Sequence, residues 1–549
     1  MEKRDVRVLP ERVRRVMDQY PHAMLGVCGL LLGFTVIFPQ IGLLEWIILV
    51  PALAVLLKQA TDPSVTLRRT YLQGLTFFLS YLVVTFHWFF YMYPLDFADM
   101  SRPASAVVVT VACLGLSAFQ AVGAALIFPL VALAARGKIF SRCKVLLPLL
   151  VAALWTSLEW WWANSGWSGV PWSRLALGQA EILPTMQSAY LFGSYVVTFL
   201  IVLVNGYLAH VLLYPDRRVL CAVLAGGLFC GNLAFGVLRL ATYQAPADTL
   251  TVAAIQGNKS SLDYWGPDTT DEVMEVYADL TRAAAAEGAE LVLWPETCIP
   301  LNIDRSAKTR RFVTDLAEEC GVPVLVGLFT DVSADSDAYY NSIIVALPDG
   351  TLHDVRYHKR NPVPFGEFVP LRALITTLIP PLTEINTLDE DIPAGQDSVV
   401  FDLDVGRVGS LICFDSIYES NARDSIRNGA ELLAISTNDS WFKDSRGVWM
   451  HHAQAQYRAI ETGRCVVRSA NTGVSSVISA TGRVEDYVPA LETGYAMEDI
   501  VLHDEITPYM AMGDVFVYLC LAVGTIVTAH ATWERALAVR RRRTLPADL

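Results

Sequence analysis

The sequence predicts an α-helical membrane bundle of about eight transmembrane helices with a large α/β domain inserted before the last one, and three observations carry the prediction. With 53% hydrophobic and only 18% charged residues over 549 positions, and a mean hydropathy of +0.38, the chain is too apolar for an ordinary soluble enzyme. Apolar stretches near or above the roughly 18 residues needed to span a bilayer recur before residue 242 and once more after residue 508. Between those limits, short strand-like runs alternate with helical patterns, as in sheets covered by helices.

The membrane part opens on a basic segment with Lys3, Arg4, Arg7, Arg12, Arg14 and Arg15, and its first apolar run begins at Ala23. No small-residue cleavage site follows that run, so it is read as a signal anchor. Apolar stretches lie at about Ala23–Gln40, Leu43–Leu57, Leu72–Tyr93, Ser105–Ala135, Val145–Trp162, Gln187–Tyr214 and Val219–Ala241. The second is short and contains Pro51, and charge decides in its favour. If all seven cross, the loops with Lys58, Arg68 and Arg69, with Arg136, Lys138, Arg142 and Lys144, and with Arg217 and Arg218 all share the side of the basic N-terminus. The other loops carry chiefly Arg102 and Arg174. Seven crossings put residues 242–508 on the periplasmic face, and an eighth run, about Val515–Ala531, returns Arg535 and Arg540 to Arg543 to the cytoplasm. The predicted division is therefore a membrane domain over 1–241, an outer domain over 242–508, and a final helix with a basic tail over 509–549.

A net charge of −13 argues against a nucleic-acid partner. His87 and Glu159 are ionisable residues within or at the end of spans; the former is read as a packing or hydrogen-bonding residue. Glu159 to Trp162 and Gly166 to Trp172 form an aromatic-rich outer loop, read mainly as an interfacial tryptophan belt. Of the ten cysteines, Cys298, Cys320, Cys413 and Cys465 fall in the outer domain without a CxxC or metal spacing. At most one disulfide is expected there, and none involving Cys413.

The outer domain centres on Leu411 to Asp415, an apolar strand ending in a thiol and followed by a helix-like segment from Ser416 to Asn428. Strand ends are where α/β folds place reacting groups. A buried cysteine is more often a small packing residue, but two upstream segments end in the groups a thiol nucleophile needs. Leu291 to Trp294 breaks at Pro295 into Glu296, and Tyr357-His358-Lys359 leads into the loop Pro364-Phe365-Gly366-Glu367-Phe368. A glutamate can take the thiol proton, and a lysine can neutralise the oxyanion formed on a carbonyl. Strands are also read at Leu250–Gln256, Val322–Leu328, Ser342–Leu347, Val408–Cys413, Leu432–Ser436, Cys465–Ser469 and Val474–Ile478.

These segments, in the order Glu, Lys, Cys, resemble the nitrilase superfamily, and with the apolar helices they resemble its membrane-embedded branch, the apolipoprotein N-acyltransferases. Gln256-Gly257-Asn258, Trp265, Asn341-Ser342 and Asn438 to Phe442 fit the same pattern. The resemblance spans nearly the whole chain. It implies an αββα sandwich for residues 242–508, an acyltransferase with a Glu296, Lys359, Cys413 triad, and supporting or substrate-binding roles for Glu367, Asp415, Phe414, Trp265, Asn341 and Trp441. Asp415 and Phe414 stand where the family often has glutamate and tyrosine, so the acidic group has a shorter reach here. The implied reaction takes an acyl chain from a membrane phospholipid, as a cysteine thioester, to the N-terminal diacylglyceryl-cysteine of a bacterial lipoprotein, at the inner membrane with both termini cytoplasmic. It requires no cofactor and no metal. The alternative is a membrane-tethered amidase that hydrolyses a C–N bond with the same triad. A transporter or binding protein with a dead domain is disfavoured by the intact triad.

Overall fold

The computed structural model describes residues 11–96, 100–244, 249–260, 267–378 and 391–544. Among them, six helical runs are long and apolar enough to cross a membrane: Pro39–Ala60, Arg102–Ala135, Lys144–Asn164, Ser194–Leu213, Pro215–Thr242 and Val515–Leu537. Two further helices pack in the same core, the apolar Pro21–Ile37 of 17 residues and Leu67–Thr85 of 19. These two lie against each other through Gly29 and Gly33. A Cβ on Gly29 would stand 2.4 Å from the carbonyl oxygen of Phe77, and one on Gly33 2.5 Å from Val84. Small residues four apart let helix backbones approach that closely in a bilayer.

The second apolar stretch is longer than its hydropathy suggests, because a 3-10 segment, Pro39–Leu44, extends it to 22 residues. Pro51 sits in the first turn of the helix Val50–Ala60, where a missing N–H costs nothing. Three stretches read as continuous are broken. Leu72–Tyr93 leaves the α-helix at Thr85 for a 3-10 segment, His87–Met92, and Ser105–Ala135 breaks at Ala125 and Leu126. Gln187–Tyr214 turns at Gly193, whose φ of +76° and whose contact with the Tyr509 ring leave no room for a side chain. His87 packs as expected, Nδ1 lying 2.9 Å from the carbonyl of Val84 and its ring at right angles to that of Tyr91. Glu159 is fully buried and satisfied by Trp155 Nε1–H, Leu175 N–H and the Thr198 hydroxyl, which makes it a structural tie of the bundle.

The outer domain holds two six-stranded sheets. In chain order the strands are β1 (Thr249–Gln256), β2 (Leu291–Leu293), β3 (Val324–Asp331), β4 (Tyr339–Ala346), β5 (Tyr357–His358) and β6 (Val400–Leu403). The remaining six are β7 (Gly406–Ile412), β8 (Leu432–Thr437), β9 (Val466–Ala470), β10 (Ser475–Ile478), β11 (Val484–Val488) and β12 (Gly494–Val501). One sheet runs β12-β1-β2-β3-β4-β5 and the other β11-β10-β9-β8-β7-β6. Alternation along β1 explains the layering. Val252 and Ala254 join the core between the sheets, whereas Ala253 and Ile255 pack under the helices Pro267–Ala286 and Ala307–Cys320. The second sheet is covered by Glu419–Arg427 and Gly447–Thr462, giving the αββα sandwich. The segment after Cys413 is corrected: a 3-10 turn, Cys413–Ile417, and an extended Tyr418 precede the helix, which starts only at Glu419.

One apolar core continues from Leu25 and Leu32 of the bundle through Trp155 and Trp172 to Ile412 and Val467 of the second sheet. Hydrogen bonds cross the same seam, from Tyr418 to the Gly169 carbonyl (2.7 Å), from Tyr457 to that of Ala176 (2.6 Å) and from Ser194 N–H to Glu461 (2.7 Å). At its centre the buried Arg174 guanidinium forks onto the Glu419 carboxylate, which Arg458 also contacts at 3.1 Å. Burial alone would raise the Glu419 carboxyl, but Arg174 and then Arg458 hold it well below the usual range. Its stabilisation is full above the ordinary glutamate value of about 4.3 and is lost as pH falls through the depressed folded value. Arg174→Ala, which strips one partner from a buried carboxylate, is expected to cost about 3–5 kcal/mol, read as a lowered unfolding midpoint in detergent. An unchanged midpoint would remove the pair from the account of the seam.

Candidate active site

Glu296 leaves the end of β2 through Trp294 and Pro295. Trp294 is locked by its Nε1–H to Thr281 at 2.9 Å, and Gly327 on β3 makes room, since a Cβ there would lie 2.2 Å from the Pro295 carbonyl. Lys359 follows β5 directly, its backbone N–H donating to the Asn341 carbonyl of β4 at 2.8 Å. The Lys359 ammonium donates to Glu296 Oε1 at 2.7 Å and to Glu367 Oε2 at 2.8 Å. Asn341 Nδ2 bridges the same two carboxylates at 2.7 and 2.9 Å, and Val363 N–H binds Glu367 at 2.7 Å, which fixes the proline-rich loop. Lys359 is 2% exposed and Glu296 4%, so two carboxylates share one buried ammonium. Burial, reinforced by Glu367 and opposed by Lys359, raises the Glu296 carboxyl. Burial pulls Lys359 down, but Glu296, Glu367 and Cys413 together hold it well above its ordinary value, so it stays charged.

Cys413 ends the second-sheet strand β7 with φ +48°, a left-handed conformation that costs a non-glycine residue about 1–2 kcal/mol. The turn that holds it is built by Ser416 and Asp415. The Ser416 hydroxyl donates to the Cys413 carbonyl at 2.6 Å. Asp415, fully buried, accepts from Tyr357 OH (2.8 Å), Asn361 N–H (2.7 Å) and Ile412 N–H (3.3 Å), so its short side chain ties the strand that leads into Cys413 to the segment after Lys359. Burial, then Glu296, push the Cys413 thiol up, and Lys359 opposes them. A thiol in that state keeps its proton until a base removes it, and an ionised glutamate beside a fixed ammonium is what acyl chemistry at sulfur needs.

Phe414 stacks on Trp172 of the bundle at 5.8 Å, and Trp172 also packs on Phe442, which meets Trp88 edge-on at 5.0 Å. An aromatic cluster thus joins the membrane helices to the residue after Cys413. Trp441 is half-buried in the 3-10 turn Ser440–Phe442. Trp265 lies outside the described residues. Gln256 and Gly257 serve the sandwich: the former binds the carbonyls of Pro489 and Glu492 at 2.7 and 2.9 Å, and the latter clears the Tyr277 ring. Among the described residues no group of three or more His, Cys, Asp or Glu side chains is placed to hold a metal ion.

A second buried charged group, absent from the sequence reading, stands behind Cys413. Asp439 binds His451 Nδ1 at 2.8 Å and Arg468 at 2.7 Å, and Gly473 leaves the space it fills. Its members come from a turn, a helix and a strand at no motif spacing. The only sequence signal was the Asn438 to Phe442 tract.

Residues 251–506 match the carbon-nitrogen hydrolase family, so sandwich and site together define a nitrilase-superfamily catalytic domain. Residues 28–207 match the apolipoprotein N-acyltransferase N-terminal domain. A Gloeobacter violaceus apolipoprotein N-acyltransferase is 31% identical over 521 residues, 94% of this chain and 96% of its own. One from Geobacter metallireducens is 28% identical over 527 residues, again 94% of this chain and 96% of its own. An amidase from Nesterenkonia sp. AN1 overlaps 49% of this chain and 98% of its own at 15% identity and a TM-score of 0.36. The chain belongs to the apolipoprotein N-acyltransferase family.

Proposed function

We propose that this protein N-acylates lipoproteins, using a membrane phospholipid as acyl donor and Cys413 as the acyl carrier. The observation that carries the reading is the buried Lys359 ammonium shared by Glu296 and Glu367, in a domain whose cysteine turn packs on apolar helices. Glu296 takes the Cys413 proton as sulfur attacks the acyl ester carbon. Lys359 and a backbone N–H hold the oxyanion, the ester C–O bond breaks, and the proton goes to the departing lysophospholipid oxygen. The α-amino group of a diacylglyceryl-cysteine then attacks the thioester; the C–S bond breaks as the amide forms, and the amine proton returns through Glu296 to sulfur. Glu367 and Asn341 position Lys359 and Glu296, Asp415 sets the turn, and Phe414 and Trp441 line the approach.

Both substrates are lipid-anchored, which gives the helices a purpose that an amidase acting on a small amide lacks. Relatives that span both parts of the chain favour the acyltransferase over that alternative. The charge pattern supports placement in the bacterial inner membrane, with residues 242–508 periplasmic between a seven-helix domain over 1–241 and a final helix over 509–549, and both termini cytoplasmic.

Intact-protein mass spectrometry after incubation with phospholipid tests the scheme. An acyl-sized adduct that a diacylglyceryl lipopeptide discharges is expected. An adduct cleared by water but not by lipopeptide would point to the hydrolase, and no adduct on folded protein would remove the thioester. Because Glu296 must be ionised to act and its carboxyl is raised, the rate of adduct formation is expected to climb with pH through a midpoint above the ordinary glutamate value. Stopped-flow or quenched single turnovers across pH read that limb, and a limb at the ordinary value would exclude Glu296 as its source.

A further inference from the structure

Lys443 and Arg446 lie between the turn Ser440–Phe442 and the helix Gly447–Thr462, and both side chains reach across to the membrane helices. The Lys443 ammonium donates to the Tyr93 carbonyl at 3.2 Å, which uses one of its three protons. The Arg446 guanidinium lies 4.7 Å from the ring centre of Phe38, the residue that ends the helix Pro21–Ile37. Among the described residues neither cation pairs with a carboxylate, the neighbouring Asp444 included, and the N–H fork of Arg446 has no hydrogen-bond acceptor. Lys443 also has φ +47° and ψ −130°, a conformation that glycine adopts freely and any side chain strains. A glycine would close the same turn at ease, so the lysine is held there against the backbone's preference. Phe90, Tyr91 and Tyr93 of the membrane segment next to this loop are exposed, as rings are at the level of lipid headgroups. On its other side the loop leads inward: Phe442 packs on Trp172, which stacks on Phe414, the residue after Cys413.

We propose that Lys443 and Arg446 bind the phosphodiester of the donor phospholipid while its ester faces Cys413. This inference rests on the acyl-transfer reading and names the part of the donor that the loop recognises. Lys443, Asp444 and Arg446 together carry a net charge of +1, which complements a singly charged phosphodiester. The Phe38 ring supports one face of the guanidinium and leaves its N–H edge open, and a flat fork of N–H groups is suited to two phosphate oxygens. The strained backbone of Lys443 and its hold on Tyr93 fix the ammonium at one place, whereas attraction to an anionic bilayer as a whole needs no fixed position. The arrangement also separates the two lipids that meet one nucleophile. The donor has a phosphate and the diacylglyceryl-cysteine acceptor has none, so the pair serves the step that loads the thiol and not the step that unloads it.

The test uses the full chain in uncharged detergent micelles and follows acyl-enzyme formation by intact mass against the concentration of two donors. One is a phospholipid; the other is the diacylglycerol with the same chains, which offers the same esters without a phosphate. Wild type is expected to half-saturate with phospholipid at a concentration about tenfold lower than with diacylglycerol. In the double variant Lys443→Gly, Arg446→Gln the phospholipid value is expected to rise about tenfold to meet an unchanged diacylglycerol value, with discharge of a preformed adduct by lipopeptide as fast as in wild type. Lys443→Gly relaxes the turn, so its unfolding midpoint is expected at or above that of wild type, and this single variant gives the same answer if the double one misfolds. Equal half-saturation of wild type by the two donors overturns the proposal, and so does a variant impaired equally toward both. A phosphate preference seen in anionic vesicles but absent from uncharged micelles overturns it in favour of attraction to the bilayer surface. A wild-type chain that forms no adduct with either donor refutes the thioester scheme itself, which keeps that failure apart from a failure of this site.

Discussion

Cys413→Ala is expected to leave no acyl adduct and no N-acylated lipopeptide, with an unfolding free energy within about 1 kcal/mol of the parent chain. The loss is complete because the thioester has no other carrier. The other described cysteines of the outer domain, Cys298, Cys320 and Cys465, sit elsewhere in the sandwich and share none of the Lys359 cluster. The stability is nearly unchanged because alanine removes only the sulfur and meets the same left-handed backbone at φ +48°. Intact mass and thermal unfolding in detergent read both halves. Residual turnover above background would place the acyl carrier elsewhere.

Lys359→Ala is expected to damage chemistry and fold together. Losing the proposed oxyanion partner is worth roughly 10²–10³ in the rate of acyl-enzyme formation. Losing the ammonium also leaves Glu296 and Glu367 facing each other across Asn341 with no buried cation, and breaking a buried pair by removing one partner costs about 3–5 kcal/mol. The pH dependence identifies the cause. A carboxyl raised in the folded state contributes stability that is present below its unfolded value and lost as pH rises through the folded one. Without Lys359 the Glu296 carboxyl rises further, so the deficit against wild type is expected to be small near pH 5 and large near pH 8. A deficit independent of pH would assign the loss to packing instead.

What the sequence disclosed and what it hid divide along physical lines. The interior strands β1, β2, β3, β4, β7, β8, β9 and β10 are apolar runs, and they were read to within a few residues. The four strands missed, β5, β6, β11 and β12, are the four edges of the two sheets. Edge strands are half-solvated, short or laced with charge, as Glu498 and Asp499 show in β12, and such runs look like loops. The same contrast holds at the site. Glu296, Lys359 and Cys413 end or flank apolar runs with proline and glycine beside them, which made them visible, and Glu367 and Asn341 stood near enough to be named. His451, Arg468 and Arg174 gave no local sign, because each is defined by a partner from a distant segment: Asp439 for the first two, Glu419 for the third. Cooperative burial of opposite charges is a property of the assembled molecule.

The apolar core that runs without interruption from the first helix to the strand of Cys413 bears on how such a protein can change over generations. Two parts joined by a slack tether can be traded between lineages as separate pieces. Here Trp172, Phe414 and Phe442 pack as one body, and Arg174 has its counter-charge 245 positions away, so a recombinant that took residues 249–506 from one lineage and the helices from another would inherit mismatched halves of a single jigsaw. The segment from Gly169 to Ser194 must travel with the sandwich it touches. The unit on which selection acts is the whole chain, lipid-facing helices and chemistry alike.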